Sequence, residues 1–223
     1  MKKRILYILV PLLGILVISS CAPTRVIKPL PKGEKTVGAT FGGPLINFAG
    51  AIIPIPYTSA WGAYGIDSST TAWAGLHTTS LAFADFQLDF GFTKNVYTSK
   101  SSYIPNISLT PALNFMHSFR DAEGRLYPEL DINFYWDKPK HLYYLTSSNW
   151  FILSSEKAHG EKITQHWVPT INTGIMFKRP KTTYQLELRY LAPFNKNYSV
   201  VEYFSPMGTG ALGIYFGVNF KLK

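Results

Sequence analysis

Residues 211–222 read ALGIYFGVNFKL, and this stretch decides the fold class. Large apolar side chains fall on every second position, at Leu212, Ile214, Phe216, Val218, Phe220 and Leu222. The positions between them hold small or polar residues and one tyrosine. Successive side chains of a β-strand point to opposite faces, so this period of two predicts a strand with two unlike faces.

The same alternation recurs along the chain and predicts ten strands. They are expected near 36–45, 58–66, 70–77, 81–94, 105–118, 126–136, 141–152, 164–178, 182–191 and 208–222. Tight connections rich in turn residues, such as Asp137-Lys138-Pro139-Lys140 and Arg179-Pro180-Lys181, alternate with longer ones. We therefore predict an all-β, antiparallel up-and-down barrel of about ten strands, with eight as the alternative. An even number places both ends of the barrel domain on one side.

Alternation alone does not say which face of the barrel is wet. Several predicted strands are longer than the ~9–11 residues that cross a bilayer, and their polar faces carry few lysines. Aromatic residues lie near the predicted strand ends, as the interfacial girdles of membrane barrels require. These residues are Trp61, Tyr64, Trp73, Trp136, Tyr143, Tyr144, Trp150, Trp167 and Tyr190. We expect a membrane barrel with its apolar face outward, and a soluble barrel is the alternative.

The C-terminus adds a family resemblance. The pattern Tyr215-x-Gly217-x-x-Phe220-x-Leu222 resembles the terminal strand of bacterial outer-membrane barrels, although Lys223 follows the hydrophobic residue that often ends such chains. The chain as a whole resembles uncharacterised outer-membrane barrel lipoproteins of Bacteroidota-type bacteria. The resemblance implies a transmembrane β-barrel in the outer membrane.

The N-terminus has the pattern of an export signal. Lys2, Lys3 and Arg4 precede an apolar run over 5–18, which is too short for a spanning helix. The residues Ile18-Ser19-Ser20-Cys21 resemble the lipobox of bacterial lipoproteins, and Ala22 resembles an outer-membrane sorting residue. This resemblance implies that Cys21 becomes the first residue and carries acyl chains such as palmitate.

Three segments follow from these patterns: a signal peptide over 1–20, a lipidated flexible tether over 21–35, and the β-barrel domain over 36–223. The tether contains Pro23, Pro29 and Pro31, which argue against a helix. With both ends of the barrel on one side, we expect the tether on the periplasmic side of the outer membrane.

The charge suits a membrane surface. The formal net charge is +9, and three basic residues lie within 1–20, so the chain from Cys21 onward carries +6. A moderate positive balance favours contact with membrane lipid or lipopolysaccharide phosphates. Export and the absence of a basic motif argue against nucleic acid as a partner, whereas envelope proteins remain candidate partners. No phosphate-binding loop, cofactor motif or metal-ligand spacing is present in the sequence, so we expect neither cofactor nor metal.

Four charged residues on the polar faces are expected to form a lumen polar network. They are Glu129, Asp131, Glu187 and Arg189. A barrel of eight to ten strands has a narrow lumen filled mostly by side chains, and buried carboxylates there need cationic partners. We interpret these residues as a structural network and not as a pore lining.

His117, Ser118 and Glu129 are weak catalytic candidates. They resemble the His/Ser/Glu sets of outer-membrane lipid A deacylases, which would imply lipid A modification. His117 and Ser118 are adjacent, however, so their side chains point to opposite faces of one strand, whereas a nucleophile and its base should share a face. We expect a non-enzymatic, lipid-anchored outer-membrane barrel with a structural or scaffold role, as a subunit of an envelope complex. The alternatives are a soluble, periplasmic tethered barrel that binds an apolar ligand and a lipid A-modifying enzyme.

Overall fold

The computed structural model describes residues 23–120, 122–153, 157–158, 161–162, 165–195 and 203–222, so the predicted signal peptide and Cys21 lie outside the described residues. Ten long strands form the barrel, and their bounds follow the predicted strands closely. They are β1 (Lys35–Phe48), β3 (Tyr57–Gly65), β4 (Thr70–His77), β5 (Asp85–Tyr97), β6 (Asn106–Ser118), β7 (Glu123–Asp137), β8 (His141–Phe151), β11 (Trp167–Lys178), β12 (Thr182–Leu191) and β13 (Ala211–Leu222).

Pairing between the first and last strands closes the barrel. Each long strand is antiparallel to its neighbour in the sheet, and β13 pairs with β1 from Lys35↔Leu222 to Pro44↔Gly213. The predicted ten-strand barrel is therefore confirmed, and the eight-strand alternative is wrong. Both ends of the barrel domain lie on the same side, as an even strand number requires.

The two ends of the barrel differ in their connections. One end, called the short-turn end, carries the connections 66–69, 98–105, 138–140 and 179–181, together with the start of β1 and the end of β13. The opposite end, the long-loop end, carries the connections 49–56, 78–84, 119–122, 152–166 and 192–210, the last two being the longest. The short elements β2 (Ala51–Pro54), α1 (Thr78–Ala82), β9 (Lys157–Ala158) and β10 (Glu161–Lys162) lie in connections at the long-loop end. Within the described part of the chain, no helix is long and apolar enough to span a membrane.

The β3–β4 turn shows how sequence shapes the short-turn end. The Asp67 carboxylate accepts hydrogen bonds from the backbone N–H of Ser69 at 2.6 Å and from its hydroxyl at 2.9 Å. These bonds, led by the one from the Ser69 backbone, hold the pKa of Asp67 below its usual range. Such an aspartate turn mimics a backbone turn, and it lets the two strands reverse over four residues.

The outer surface of the barrel is apolar and the lumen is polar. On β12, Leu186 and Leu188 are exposed, whereas Gln185, Glu187 and Arg189 are buried inside. In a protein dissolved in water the apolar side chains would be inside, so this inverted arrangement is that of a barrel facing lipid. A soluble barrel with an apolar ligand inside is therefore not what the chain forms.

The aromatic residues divide between the two faces. Tyr64, Tyr143 and Trp167 are exposed on the outside, as expected for a girdle. Trp61, Trp73 and Tyr144 instead lie buried in the lumen, which corrects their assignment to a girdle. Proximity to a strand end does not fix the face, because one residue of shift along a strand reverses the direction of the side chain.

The predicted flexible tether also differs from the structure. Residues 23–30, called the lumen segment, enter the barrel, and Thr24, Arg25, Val26 and Ile27 are buried there. The physical reason is that each of these residues finds a matching partner on the wall. Prolines exclude a helix here, but they do not prevent an extended segment from binding inside a barrel.

Candidate functional site

The lumen segment runs through the barrel from the short-turn end. Close to that end, the N–H of Gly33 donates to the carbonyl of Gly65 at 2.8 Å, and the N–H of Leu30 donates to the Thr71 hydroxyl at 2.7 Å. Farther inside, Thr24 lies beside Glu187 near the middle of β12. The chain thus occupies the part of the lumen between the short turns and the middle of the barrel.

A buried ion pair holds the segment to β5. The Arg25 guanidinium donates from Nε to Asp89 Oδ2 at 2.9 Å and from Nη2 to Asp89 Oδ1 at 3.1 Å. Its Nη1 donates to the Ser59 hydroxyl at 2.7 Å, and His77 Nε2 lies 3.5 Å from Asp89 Oδ1. A two-point contact of this kind fixes both the position and the orientation of the arginine.

Two consecutive apolar residues of the segment pack on different parts of the wall. Val26 packs in a buried cluster on β3, β4 and β6, formed with Trp61, Trp73 and Ala112. Ile27 packs in a second cluster on β7, β8 and β11, formed with Tyr135, Leu142, Tyr144 and Met176. Burying one such side chain is worth about 1.5–3 kcal/mol. The segment therefore fills the lumen with apolar contacts as well as polar ones.

Wall side chains also satisfy the backbone carbonyls of the segment. Thr93 donates its hydroxyl proton to the Val26 carbonyl at 3.1 Å, and Ser108 donates to the Ile27 carbonyl at 2.6 Å. Gln185 donates from Nε2 to the Thr24 carbonyl at 3.1 Å. A buried carbonyl without a partner costs free energy, so these contacts show that the wall is built to hold an extended chain.

Glu187 and Arg189, both predicted for the polar network, lie in the lumen as expected. Glu187 is fully buried, accepts a hydrogen bond from Tyr144 at 2.7 Å, and lies 3.6 Å from Arg189 Nε. It also accepts the backbone N–H of Thr24 at 3.2 Å. Arg189 donates from Nε to Asn172 at 3.0 Å. The network therefore binds the innermost described part of the lumen segment as well as the wall.

Glu129 and Asp131, the other two predicted members, lie on the inner face of β7. Glu129 accepts a hydrogen bond from Asn114 Nδ2 at 2.9 Å. Asp131 is buried and faces Ser148 across the β7–β8 pair. All four predicted residues thus share the lumen, as the alternation on β7 and β12 predicts.

Ion pairs surround the entry of the segment at the short-turn end. Lys28 donates to Asp137 at 2.6 Å, and Lys178 donates to the other oxygen of the same carboxylate. Lys221 lies 3.3 Å from Glu34. These side chains are partly exposed, and exposed pairs are worth about 0–1 kcal/mol. They align the chain at the entry, whereas the buried contacts hold it.

The three catalytic candidates do not come together. His117 lies on the outer side of β6, where its ring is 5.2 Å from that of Phe119. Glu129 faces the lumen on β7, bonded to Asn114, and Ser118 follows His117 on the opposite face of β6. A barrel wall therefore separates the imidazole from the carboxylate, and the geometry offers no shared reaction centre.

Sequence reasoning missed the central contact of the site. Asp89 and Gln87 lie on the polar parity of the predicted strand 81–94, and the lumen position of Asp89 follows from that alternation. Its partner Arg25 could not be found this way, because Arg25 lies outside the strands and no alternation predicts the direction of its side chain. The apolar pair Val26-Ile27 between two basic residues was the available signal. Among the described residues, no group of His, Cys, Asp and Glu side chains could hold a metal ion.

Comparison with solved structures supports the architecture. The translocator domain of the autotransporter NalP from Neisseria meningitidis is similar with a TM-score of 0.50 and 9% identity, over 88% of this chain and 91% of that chain. An outer-membrane channel from Pseudomonas putida F1 also has a TM-score of 0.50 and 9% identity, over 90% of this chain and 100% of that chain. At this identity the likeness shows the fold alone, which is that of bacterial outer-membrane barrels. No protein-family model and no curated protein sequence matches the chain.

Proposed function

We propose that this chain is a lipid-anchored outer-membrane β-barrel whose lumen is closed by its own N-terminal segment, and that it serves as a structural or scaffold component of the cell envelope. The observation that carries the proposal is the lumen segment itself. Arg25, Val26 and Ile27 are each at least 95% buried inside the barrel. A barrel built to conduct would leave this space to water.

The membrane part of the proposal rests on the outer surface. Exposed leucine, isoleucine and phenylalanine side chains cover the outer faces of several strands; among them are Phe90, Ile171, Leu186, Leu188 and Phe216. In contact with water this surface would aggregate, whereas a bilayer accepts it. The fold shared with outer-membrane barrels agrees with this location.

The lipid part of the proposal rests on the sequence alone. Cys21 follows the pattern of a lipobox, and two or three acyl chains at about 0.8 kcal/mol per buried methylene would attach the chain firmly. The barrel does not need this anchor to stay in a bilayer. Acylation would therefore serve transport or positioning, which suits a component that acts through its place in the envelope.

Conductance across a planar bilayer tests the closed-barrel claim. Full-length acylated protein should insert and show heat-modifiable gel mobility, yet it should carry no steady ion current at moderate voltage. A persistent open-channel current from the wild type would contradict a closed structural barrel. Palmitate labelling that is lost in Cys21→Ala would support the anchor, and labelling that persists would contradict it.

Cross-linking in intact cells tests the scaffold role. A structural component should give a reproducible cross-linked product with another envelope protein, in amounts that depend on the folded barrel. Cross-linking that yields only the monomer, under conditions that capture a known envelope complex in the same cells, would contradict the scaffold role and leave the closed-barrel claim standing.

A further inference from the structure

We propose that the lumen segment delivers Cys21, with its acyl chains, to the long-loop end of the barrel and not to the short-turn end where the segment enters. This inference rests on the proposed lipid anchor. It replaces the expected periplasmic tether with a chain that passes through its own barrel, so that the anchor lies across the membrane from the start of β1.

The direction of the segment is fixed by contacts at successive depths. Gly33 bonds to Gly65 at the end of β3, and Leu30 bonds to Thr71, one residue inside the start of β4. Ser108, two residues inside the start of β6, holds Ile27. The series ends at Glu187, five residues inside the start of β12, which holds Thr24. Each step toward the N-terminus moves the chain away from the short turns.

The chain between Thr24 and Cys21 is too short to bring Cys21 back to the short-turn end. Strands rise about 3.3 Å per residue and tilt by about 40° in barrels, so Glu187 lies roughly 12 Å above the short-turn rim and roughly 10 Å below the rim at Leu191. Cys21 is three residues from Thr24, and three residues extend at most about 10–11 Å. Cys21 can therefore reach the long-loop rim, but it cannot reach lipid at the short-turn end.

The acyl chains themselves must leave the lumen. The wall near Thr24 carries Glu187, Arg189, Asn172 and Gln185, all buried and polar. Hydrocarbon placed there would displace water or hydrogen-bonding partners from these polar and charged groups, which costs free energy. The long-loop end instead offers exposed apolar side chains at its loop tips, among them Phe48, Ile52, Phe194 and Met207. Acyl chains that emerge beside these residues would pass over the rim into lipid.

The cellular consequence follows from barrel orientation. Bacterial outer-membrane barrels keep short turns in the periplasm and long loops outside. The lipid of Cys21 would then occupy the outer, cell-surface leaflet. Closure of the lumen and insertion of the lipid in the inner leaflet are mutually exclusive, because the latter requires Thr24 to leave Glu187. The barrel must also close around the segment during assembly, since acyl chains would not thread through a finished lumen.

A photo-reactive, clickable palmitate analogue tests the side of exit without any substitution. Cells are fed the analogue, outer membranes are irradiated, and adducts on the full-length protein are mapped by mass spectrometry. We expect the analogue on Cys21 and adducts on peptides that contain Phe48–Ile53, Phe194 or Met207. Adducts confined to peptides that contain Ile66, Tyr103 or Ile104, at the short-turn end, would overturn the inference while leaving the lipid anchor intact.

Two further readouts separate the possible failures. Absence of the analogue from Cys21 would overturn the lipid anchor and this inference together. The same mapping on a Val26→Cys/Thr93→Cys variant, oxidised to lock the segment in the lumen, should leave the adduct pattern unchanged. A shift of adducts to the short-turn end in the locked protein would overturn the inference even if the unlocked protein gave a mixed pattern.

Discussion

Arg25 Nη2 lies 2.9 Å from Asp89 Oδ2, and the two side chains are only 3% and 5% exposed. The pair joins the lumen segment to β5 across 64 positions of sequence. Gly75 on β4 makes room for it, because a Cβ at that position would lie 2.4 Å from Asp89 Oδ1 and 2.8 Å from Arg25 Nη2. The wall is thus shaped around the arginine, and the barrel with its segment forms one packed unit.

Removing Arg25 should loosen the segment. Arg25→Ala leaves Asp89 buried without its main partner, and breaking a buried ion pair costs about 3–5 kcal/mol. We expect a comparable fall in the free energy of unfolding in lipid vesicles, together with a new ion current in planar bilayers. Both are measurable on one preparation.

Lys28→Ala is the matched control for Arg25→Ala. It removes a basic residue from the same segment, but its pair with Asp137 is half exposed, and such pairs are worth about 0–1 kcal/mol. Conductance should stay at the wild-type level. Equal currents from the two variants would show that general charge, and not the buried pair, closes the lumen.

A charge on the outer face should be costly in the membrane. Leu186→Arg places a cation in the middle of β12 on the apolar surface, where such changes cost about 2–4 kcal/mol. Tyr184→Arg, on the same face but near the end of the strand, should cost about 0–1 kcal/mol. Denaturant unfolding of both variants in lipid vesicles measures their free energies of unfolding. Equal costs at the two depths would argue against a spanning barrel.

Neighbouring tyrosines on β8 test the lumen network. The Tyr144 hydroxyl donates to Glu187 and accepts from Gln185, both at 2.7 Å. Tyr144→Phe leaves both buried groups without this partner, and we expect the free energy of unfolding to fall by about 1–3 kcal/mol. Tyr143 points outward and is exposed, and Tyr143→Phe should change the free energy of unfolding by less than about 0.5 kcal/mol. A larger effect from Tyr143 would reverse the assignment of faces.

The strands could be predicted from the sequence because each carries its own alternation. Leu186 and Leu188 against Gln185 and Glu187 define two faces within four residues, and the turn at Arg179-Pro180-Lys181 marks the boundary. The polar network followed from the same parity, since Glu129 and Asp131 share a face of β7. Alternation within each strand was therefore enough to predict the ten strands and the residues that face the lumen.

The lumen segment could not be predicted in this way. Thr24 to Ile27 form no regular element, and their positions depend on partners between 34 and 163 residues away, such as Ser59, Asp89 and Glu187. A proline-rich stretch with two apolar residues reads locally as a linker. Only the closed barrel brings its binding partners together. The inward direction of Trp61 and Trp73 was missed for the same reason, since their lumen partner Val26 lies outside the strands.

Closure of the lumen by the chain's own N-terminal segment is most directly tested by a disulfide between Val26→Cys and Thr93→Cys. The Thr93 hydroxyl lies 3.1 Å from the Val26 carbonyl, so the two residues are in direct contact in the lumen. Val26→Cys with Phe92→Cys, which points outward, is the control. We predict rapid oxidation of the first pair and none of the second in outer membranes of intact cells. Failure of the first pair to oxidise in a correctly folded barrel would contradict the account.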